Sequence, residues 1–278
     1  VWLVASMDLR KALDAVRQAD PVLLALSLLP LAARFLIWNF KATRIARRHG
    51  QVRSMTVMRL ILAGAFINLV TPTVKVGGGL YRAAGIRRET GWGFPRAYGW
   101  TLSDQVSNIL GGLLLFGLTA LAAGGRPFYW GGGVALFVVA MFFVLRSRFR
   151  REGGGRLREL LGPVLEPGTA ELAGDVTLAA LAWSMLCVAC GLVFHALGST
   201  APLMQLSAML AVGTTAGTLA GAGGLGVTEL ALIGLLTRAG IDPAVAAAGA
   251  LLHRGILYAV VIIAGGFALL SNRRSSSG

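Results

Sequence analysis

Two glycine-rich stretches decide how this chain folds. They are Thr71–Pro72–Thr73–Val74–Lys75–Val76–Gly77–Gly78–Gly79 in the first half and Gly221–Ala222–Gly223–Gly224–Leu225–Gly226–Val227–Thr228–Glu229 in the second. Each breaks an apolar run, Met55–Thr71 in one case and Pro202–Ala220 in the other. Only the short pieces Gly79–Ile86 and Gly226–Thr237 follow the breaks. A helix needs about 20 apolar residues to cross the hydrocarbon, so neither piece crosses alone. Gly- or Pro-interrupted segments in corresponding positions of two halves are the mark of discontinuous helices around a midplane binding site.

Outward from these breaks lie longer apolar runs: Pro21–Phe40, Arg96–Ala122, Phe128–Leu145, Val176–Leu197 and Pro243–Leu270. The 278 residues are 55% hydrophobic and only 14% charged, with a mean hydropathy of +0.71. A soluble domain carries roughly 25% charged residues, so this composition belongs to a polytopic membrane protein. The expected fold is all-α, a membrane helical bundle forming a single domain over residues 1–278. Met7–Ala19 places Leu9, Leu13 and Val16 on one face, which predicts an interfacial helix within residues 1–20. The opening Val1–Trp2–Leu3 has no charged n-region and does not read as a signal peptide.

Twenty-six Lys and Arg face twelve Asp and Glu, a formal charge of +14. The cations cluster in loops between apolar runs rather than on one polar face, which excludes a nucleic-acid partner. Lys41, Arg44, Arg47, Arg48 and Arg53 follow the first span, Arg82, Arg87, Arg88 and Arg96 the first break, Arg146–Arg158 the fourth run, and Arg273 and Arg274 end the chain. All are assigned to the cytoplasmic side of the cell (inner) membrane by the positive-inside rule. The assignment gives an outside N-terminus and a cytoplasmic C-terminus. It holds only if Met55–Ile86 enters from the cytoplasm and returns there, while Pro202–Thr237 enters from the opposite face. Each segment is then a re-entrant or broken helix pair.

Asn68–Phe116 can also be laid on Thr218–Gly266 at an offset of roughly 150, with Asp104 falling beside His253 and Arg254. Residues 55–122 and 202–270 are therefore expected to form two inverted-topology repeats, the arrangement of many secondary transporters. Shared Gly and Ala content, which serves helix packing, is the competing explanation.

Ionisable groups at membrane depth face a cavity or a partner. Glu229 either sits in the field of a helix N-terminus, or titrates or pairs with a substrate cation or with Arg254 across the repeat interface. Lys75 and Arg82 either snorkel to the headgroups or, beside the amides of Gly77 and Gly78, bind phosphate. Asp104 either pairs with Arg254 or meets the substrate. With Gly223, Gly224, Gly226 and His253, these residues make up the expected substrate-contacting set. Arg34 and Arg59 carry no assignment. Cys187 and Cys190 form a C-x-x-C within an apolar run and read as helix packing. No zinc, P-loop or nucleophile-elbow motif is present, so no catalytic residue, metal or cofactor is expected.

Gly223–Gly224–Leu225–Gly226–Val227–Thr228–Glu229, then Ala239–Gly240–Ile241–Asp242–Pro243 and Leu251–Leu252–His253–Arg254, resembles the second-repeat signature of the flippase-like transmembrane domain of lysylphosphatidylglycerol synthases. Thr71–Gly78 with Tyr81–Arg82–Ala83 resembles its first-repeat counterpart. The resemblance runs from about Leu24 to Leu270, with three departures. Gly79 stands where many relatives have Glu, Ala220–Gly221–Ala222 replaces a stretch that often holds Pro, and His253 takes a place commonly held by Tyr. The resemblance implies a stand-alone relative without the soluble aminoacyl-transferase domain, similar to members associated with hopanoid or polyprenyl-linked glycolipids. The expected function is transport of an anionic or polyprenyl phosphate-linked lipid between leaflets, not enzymatic turnover. The alternatives are a lipid-binding scaffold that recruits a biosynthetic enzyme as partner, and an intramembrane lipid-modifying enzyme. The sequence leaves the oligomeric state open.

Overall fold

A computed structural model describes residues 9–71, 76–123, 125–149, 155–219 and 226–274. No strand occurs among them. The described helices are α1 (Leu9–Gln18), α2 (Pro21–Leu26), α3 (Leu28–Arg47), α4 (Ser54–Val70), α5 (Val76–Thr90), α6 (Phe94–Ala123), α7 (Arg126–Phe149), α8 (Gly155–Leu165), α9 (Thr169–Ala196), α10 (Leu203–Leu219), α11 (Val227–Arg238) and α12 (Pro243–Arg274).

Five stretches are long and apolar enough to cross a membrane: Pro21–Arg47, Phe94–Ala123, Phe128–Arg146, Thr169–Ala196 and Pro243–Ser271. They correspond to the five long runs of the sequence, with ends that differ for physical reasons. The first span breaks at Ser27, because Pro30 has no N–H to offer the Leu26 carbonyl. It then runs on to Arg47 rather than stopping at Phe40, since Lys41 and Arg48 find carboxylates inside the bundle. Helix α9 begins at Thr169 instead of Val176, started by Glu171, whose carboxylate accepts from the Gly168 amide at 2.8 Å.

The segments flanking the two breaks share a pattern. Helices α4, α5 and α6 hold 17, 15 and 30 residues, and α10, α11 and α12 hold 17, 12 and 32. At about 1.5 Å per residue the 17-residue helices reach ~25 Å, short of the ~30 Å hydrocarbon. Both middle helices end on a glycine at positive φ, Gly91 at 71° and Gly240 at 88°, which only glycine adopts freely. Both long helices carry Pro in the first turn, Pro95 and Pro243, where a missing N–H costs nothing.

Close backbone contact ties each pair. A Cβ at Gly78 would stand 2.1 Å from the Gly64 carbonyl oxygen, and one at Gly213 would stand 3.0 Å from the Thr228 carbonyl oxygen. Packing between the two triplets is reciprocal. Helix α12 lies on α4, with Gly265 against the Leu62 carbonyl, and α6 lies on α10.

One apolar cluster joins α9, α10, α11 and α12 and includes both cysteines, free and buried as the sequence reading expects. A second joins α3, α4, α5 and α6 around the fully buried Trp100. Basic residues gather at one end of the bundle. There Arg53 meets Glu89 at 2.9 Å, and Arg146 donates to the carbonyls of Leu165 and Pro167. At the other end the Asp20 amide bonds the Ala196 carbonyl at 2.9 Å, and α1 lies against α12.

Candidate functional site

Helix α3 carries Arg34, Trp38 and Lys41 at i, i+4 and i+7, a spacing that puts all three on one face. That face meets Asp104 of α6, which is fully buried. The Asp104 carboxylate accepts from Lys41 Nζ at 3.0 Å, from an Arg82 guanidinium nitrogen at 2.6 Å and from Trp38 Nε1 at 3.0 and 3.1 Å. Lys41 also donates to the Asp104 backbone carbonyl at 3.1 Å and to Ser107 Oγ at 2.9 Å. One carboxylate thus faces two cations in the apolar interior. Interior charges are tolerated only with such pairing, because solvation is lost and the remaining field is strong.

Several expectations are corrected here. Lys41 is not a loop cation: its side chain is 1% exposed. Arg82 does not snorkel, since Asp104 holds it inside. Asp104 does not pair with Arg254, because its oxygens are already taken by α3 and α5.

Arg254 makes a second centre. Its Nε lies 2.9 Å from Glu229 Oε1 and 2.7 Å from the Tyr258 hydroxyl, with the guanidinium 5.0 Å from that ring. Glu229 lies in the first turn of α11, and its carboxylate is bonded to Arg254 of α12. Two buried atoms here have no hydrogen-bond partner, Glu229 Oε2 and His253 Nδ1.

The centres are counterparts with reversed signs. In the first triplet the middle helix carries the cation and the long helix the carboxylate; in the second the middle helix carries the carboxylate and the long helix the cation. Asp104 and Arg254 stand roughly 150 residues apart, the offset that aligns the two triplets.

The remaining expected contacts divide. Lys75, Gly223 and Gly224 lie outside the described residues. Gly77 opens α5, and Gly226 caps α11 with φ 81°. The Gly78 amide is spent on Asn68 Oδ1 at 2.8 Å. Gly79 is buried, and a Cβ there would meet Gln105 at 3.2 Å, so the position has little room for the Glu common in relatives.

Three features were missed in the sequence. Asp175 of α9, fully buried, takes a bidentate contact from Arg48 at 2.7 and 2.9 Å with Arg44 at 3.7 Å, pinning α3 to α9. Lys41 and Trp38 complete the Asp104 centre. Arg34 sits at the midpoint of the first span, where an arginine costs about 2.5–3.5 kcal/mol on insertion scales. Ending the span at Phe40 hid Lys41, whereas Arg34 and Trp38 already shared a helical face within Pro21–Phe40.

A cleft of about 530 Å³ opens between α1 and the bundle, lined by Lys11, Asp14, Asp20, His195 and Asp242. Two of its carboxylates are helix caps: Asp20 accepts from Val22 N and Asp242 from Ala244 N, each at 2.8 Å. The arrangement is therefore structural, and the ion-pair centres remain the candidate site.

A family model described as the lysylphosphatidylglycerol synthase TM region matches residues 1–265. No curated protein matches the chain.

Proposed function

Because the chain belongs to this family of lysylphosphatidylglycerol synthase transmembrane regions, we propose that it is a membrane lipid transporter that moves an anionic or polyprenyl phosphate-linked lipid between leaflets. The observation that carries the reading is the pair of interior centres, Lys41–Asp104–Arg82 and Glu229–Arg254, in a bundle with five span-length helices. Charges at such depth are expensive, and they are characteristic of translocation pathways.

Two inverted-topology repeats, residues 55–122 and 202–270, are part of the proposal. Matching helix lengths, matching Gly and Pro ends, and the reciprocal packing of α12 on α4 and α6 on α10 support it. Rocking of one repeat against the other would expose the centres to each leaflet in turn. The basic end, with Arg53, Arg87, Arg88 and Arg146, faces the cytoplasm on this reading. Residues Arg82, Asp104, Glu229, His253 and Arg254 line the route, with Lys75 and the glycines Gly77, Gly78, Gly223, Gly224 and Gly226 near its bends.

Reconstitution into phosphatidylcholine liposomes with headgroup-labelled phosphatidylglycerol or polyprenyl phosphate tests this directly. The expected result is faster loss of fluorescence to a membrane-impermeant quencher than in protein-free liposomes, abolished by Arg254→Gln. An unchanged leaflet distribution across a broad lipid panel would overturn the proposal.

A further inference from the structure

Arg34 is the cation that the two centres leave over. Among the described residues no carboxylate lies within ion-pair distance of it. Its guanidinium instead faces three rings, Phe35 at 5.5 Å, Trp183 at 5.8 Å and Trp38 at 6.0 Å. Both indole N–H groups are committed elsewhere, Trp38 to Asp104 and Trp183 to the Asn108 carbonyl at 3.1 Å. The rings therefore offer Arg34 their faces and leave the guanidinium edge free to donate.

The surroundings point the same way. Arg34 is half-buried and stands at the midpoint of the first span. Lys41 and Arg82 share the one carboxylate of Asp104, whereas Arg34 has no described carboxylate partner. Each group carries one unbalanced positive charge. In the Lys41 group that excess is sealed, because both cations are buried and bonded. At Arg34 it is not sealed, because the side chain is half-buried and the groups that meet it are ring faces.

We propose that Arg34 seats a phosphate-bearing anion at mid-depth of the bundle. A guanidinium fork matches two phosphate oxygens, the aromatic collar holds the fork in place, and the ligand supplies the missing negative charge. The inference rests on the lipid-transport reading for the source of the phosphate, but the site itself does not need transport to be detected.

The test is equilibrium binding to purified protein in detergent, using a fluorescent short-chain phosphatidylglycerol, the matching phosphatidylcholine and inorganic phosphate as separate arms. Wild-type protein is expected to bind the phosphatidylglycerol at least about tenfold more tightly than the phosphatidylcholine. Arg34→Gln and Arg34→Ala should erase that preference, Arg34→Lys should retain part of it, and Arg59→Gln, on an exposed face of α4, should leave it intact. A merely structural Arg34 would lower the melting temperature when removed, whereas a ligand-seeking Arg34 should leave the ligand-free melting temperature equal or higher. An Arg34→Gln protein that keeps the full preference overturns the site and leaves the transport reading standing. Inorganic phosphate binding as tightly as the lipid, lost in Arg34→Gln, supports the site and removes the lipid from it. No preference for the anionic lipid or phosphate in the wild type overturns both.

Discussion

Replacing Asp104 by Asn should destabilise the protein far more than removing either cation beside it. The side chain is fully buried and holds Lys41 at 3.0 Å and Arg82 at 2.6 Å. Asparagine keeps the shape and one acceptor oxygen but leaves two cations facing each other without a counter-charge. Leaving a buried charge uncompensated costs about 3–5 kcal/mol. Lys41→Met instead leaves one cation on one carboxylate. The Asp104 carbonyl keeps the Ser107 hydroxyl as donor at 3.0 Å, so the loss is closer to the ~1 kcal/mol of a single hydrogen bond. At about 2–4 °C per kcal/mol for a chain of this size class, Asp104→Asn should melt on the order of 10 °C lower and Lys41→Met only a few degrees lower. Cys187 and Cys190 supply the assay, because both are free and buried and a thiol-reactive fluorophore reports their exposure on heating. An Asp104→Asn protein that melts within about 2 °C of the wild type, or above Lys41→Met, would refute the charge arithmetic.

Gly78→Ala should separate α4 from α5, since the new Cβ would lie 2.1 Å from the Gly64 carbonyl oxygen. A loss of about 1–3 kcal/mol, seen as a lower melting temperature, is expected, whereas Gly133→Ala, with open space around it, should be neutral or better. His49, outside the spans, has its pKa lowered by burial and then by the Arg96 charge. Below the ordinary histidine value of about 6.5 the unfolded chain binds the extra proton first, so stability is complete above that pH and declines as pH falls toward the depressed folded value. Melting curves from pH 8 to 5, on the order of ten points, should show this slope flattened in His49→Gln, and an identical slope would count against it. Glu89 has its pKa lowered, chiefly by its hydrogen bond from Arg53. Its contribution is present above the usual carboxylate range and lost as pH falls through the depressed value, so wild type and Glu89→Gln should converge in acid. Exchanging the charges in Glu229→Arg with Arg254→Glu should recover folding that either single change loses, with melting temperature as the readout.

Helices that bury an apolar surface on all sides were legible because length and composition alone define them. All five spans were therefore anticipated, and so were the short helices around the glycine breaks. Polar pairing was harder to read. Lys41 follows Phe40 at the point where an apolar run meets a string of cations, and one-dimensional hydropathy assigns such a residue to the loop. Only the helical face shared with Arg34 and Trp38, together with a carboxylate more than 60 residues away on α6, brings it inside. Glu229 and Arg254 were named as possible partners across the repeat interface, but the pair they form joins α11 to α12 within one triplet. Asp104 was read onto Arg254 because the two occupy equivalent positions. In the structure each contacts its own neighbours instead, Asp104 meeting Lys41 and Arg82 and Arg254 meeting Glu229.

The sign reversal between the centres bears on how the bundle can move. Arg82–Asp104 joins α5 to α6, and Glu229–Arg254 joins α11 to α12, so each ion pair lies within one triplet of helices. Contacts between triplets are of another kind: Gly265 of α12 lies on the Leu62 carbonyl of α4, and α6 packs against α10 through side chains without a described ion pair. Breaking a buried ion pair costs several kcal/mol, whereas apolar side chains in a bilayer exchange one apolar neighbour for another. On the proposed transport reading, the low-cost displacement is of one triplet against the other, with both ion pairs intact. Helix α3 is the exception, since Lys41 ties it to the first triplet while Arg44 and Arg48 tie it to α9 through Asp175. On the proposed transport reading it stays fixed to the first triplet and to α9, and it carries Arg34. On that reading, a relative shift of the triplets moves Arg254 with respect to Arg34 while leaving the Asp104 centre as it is.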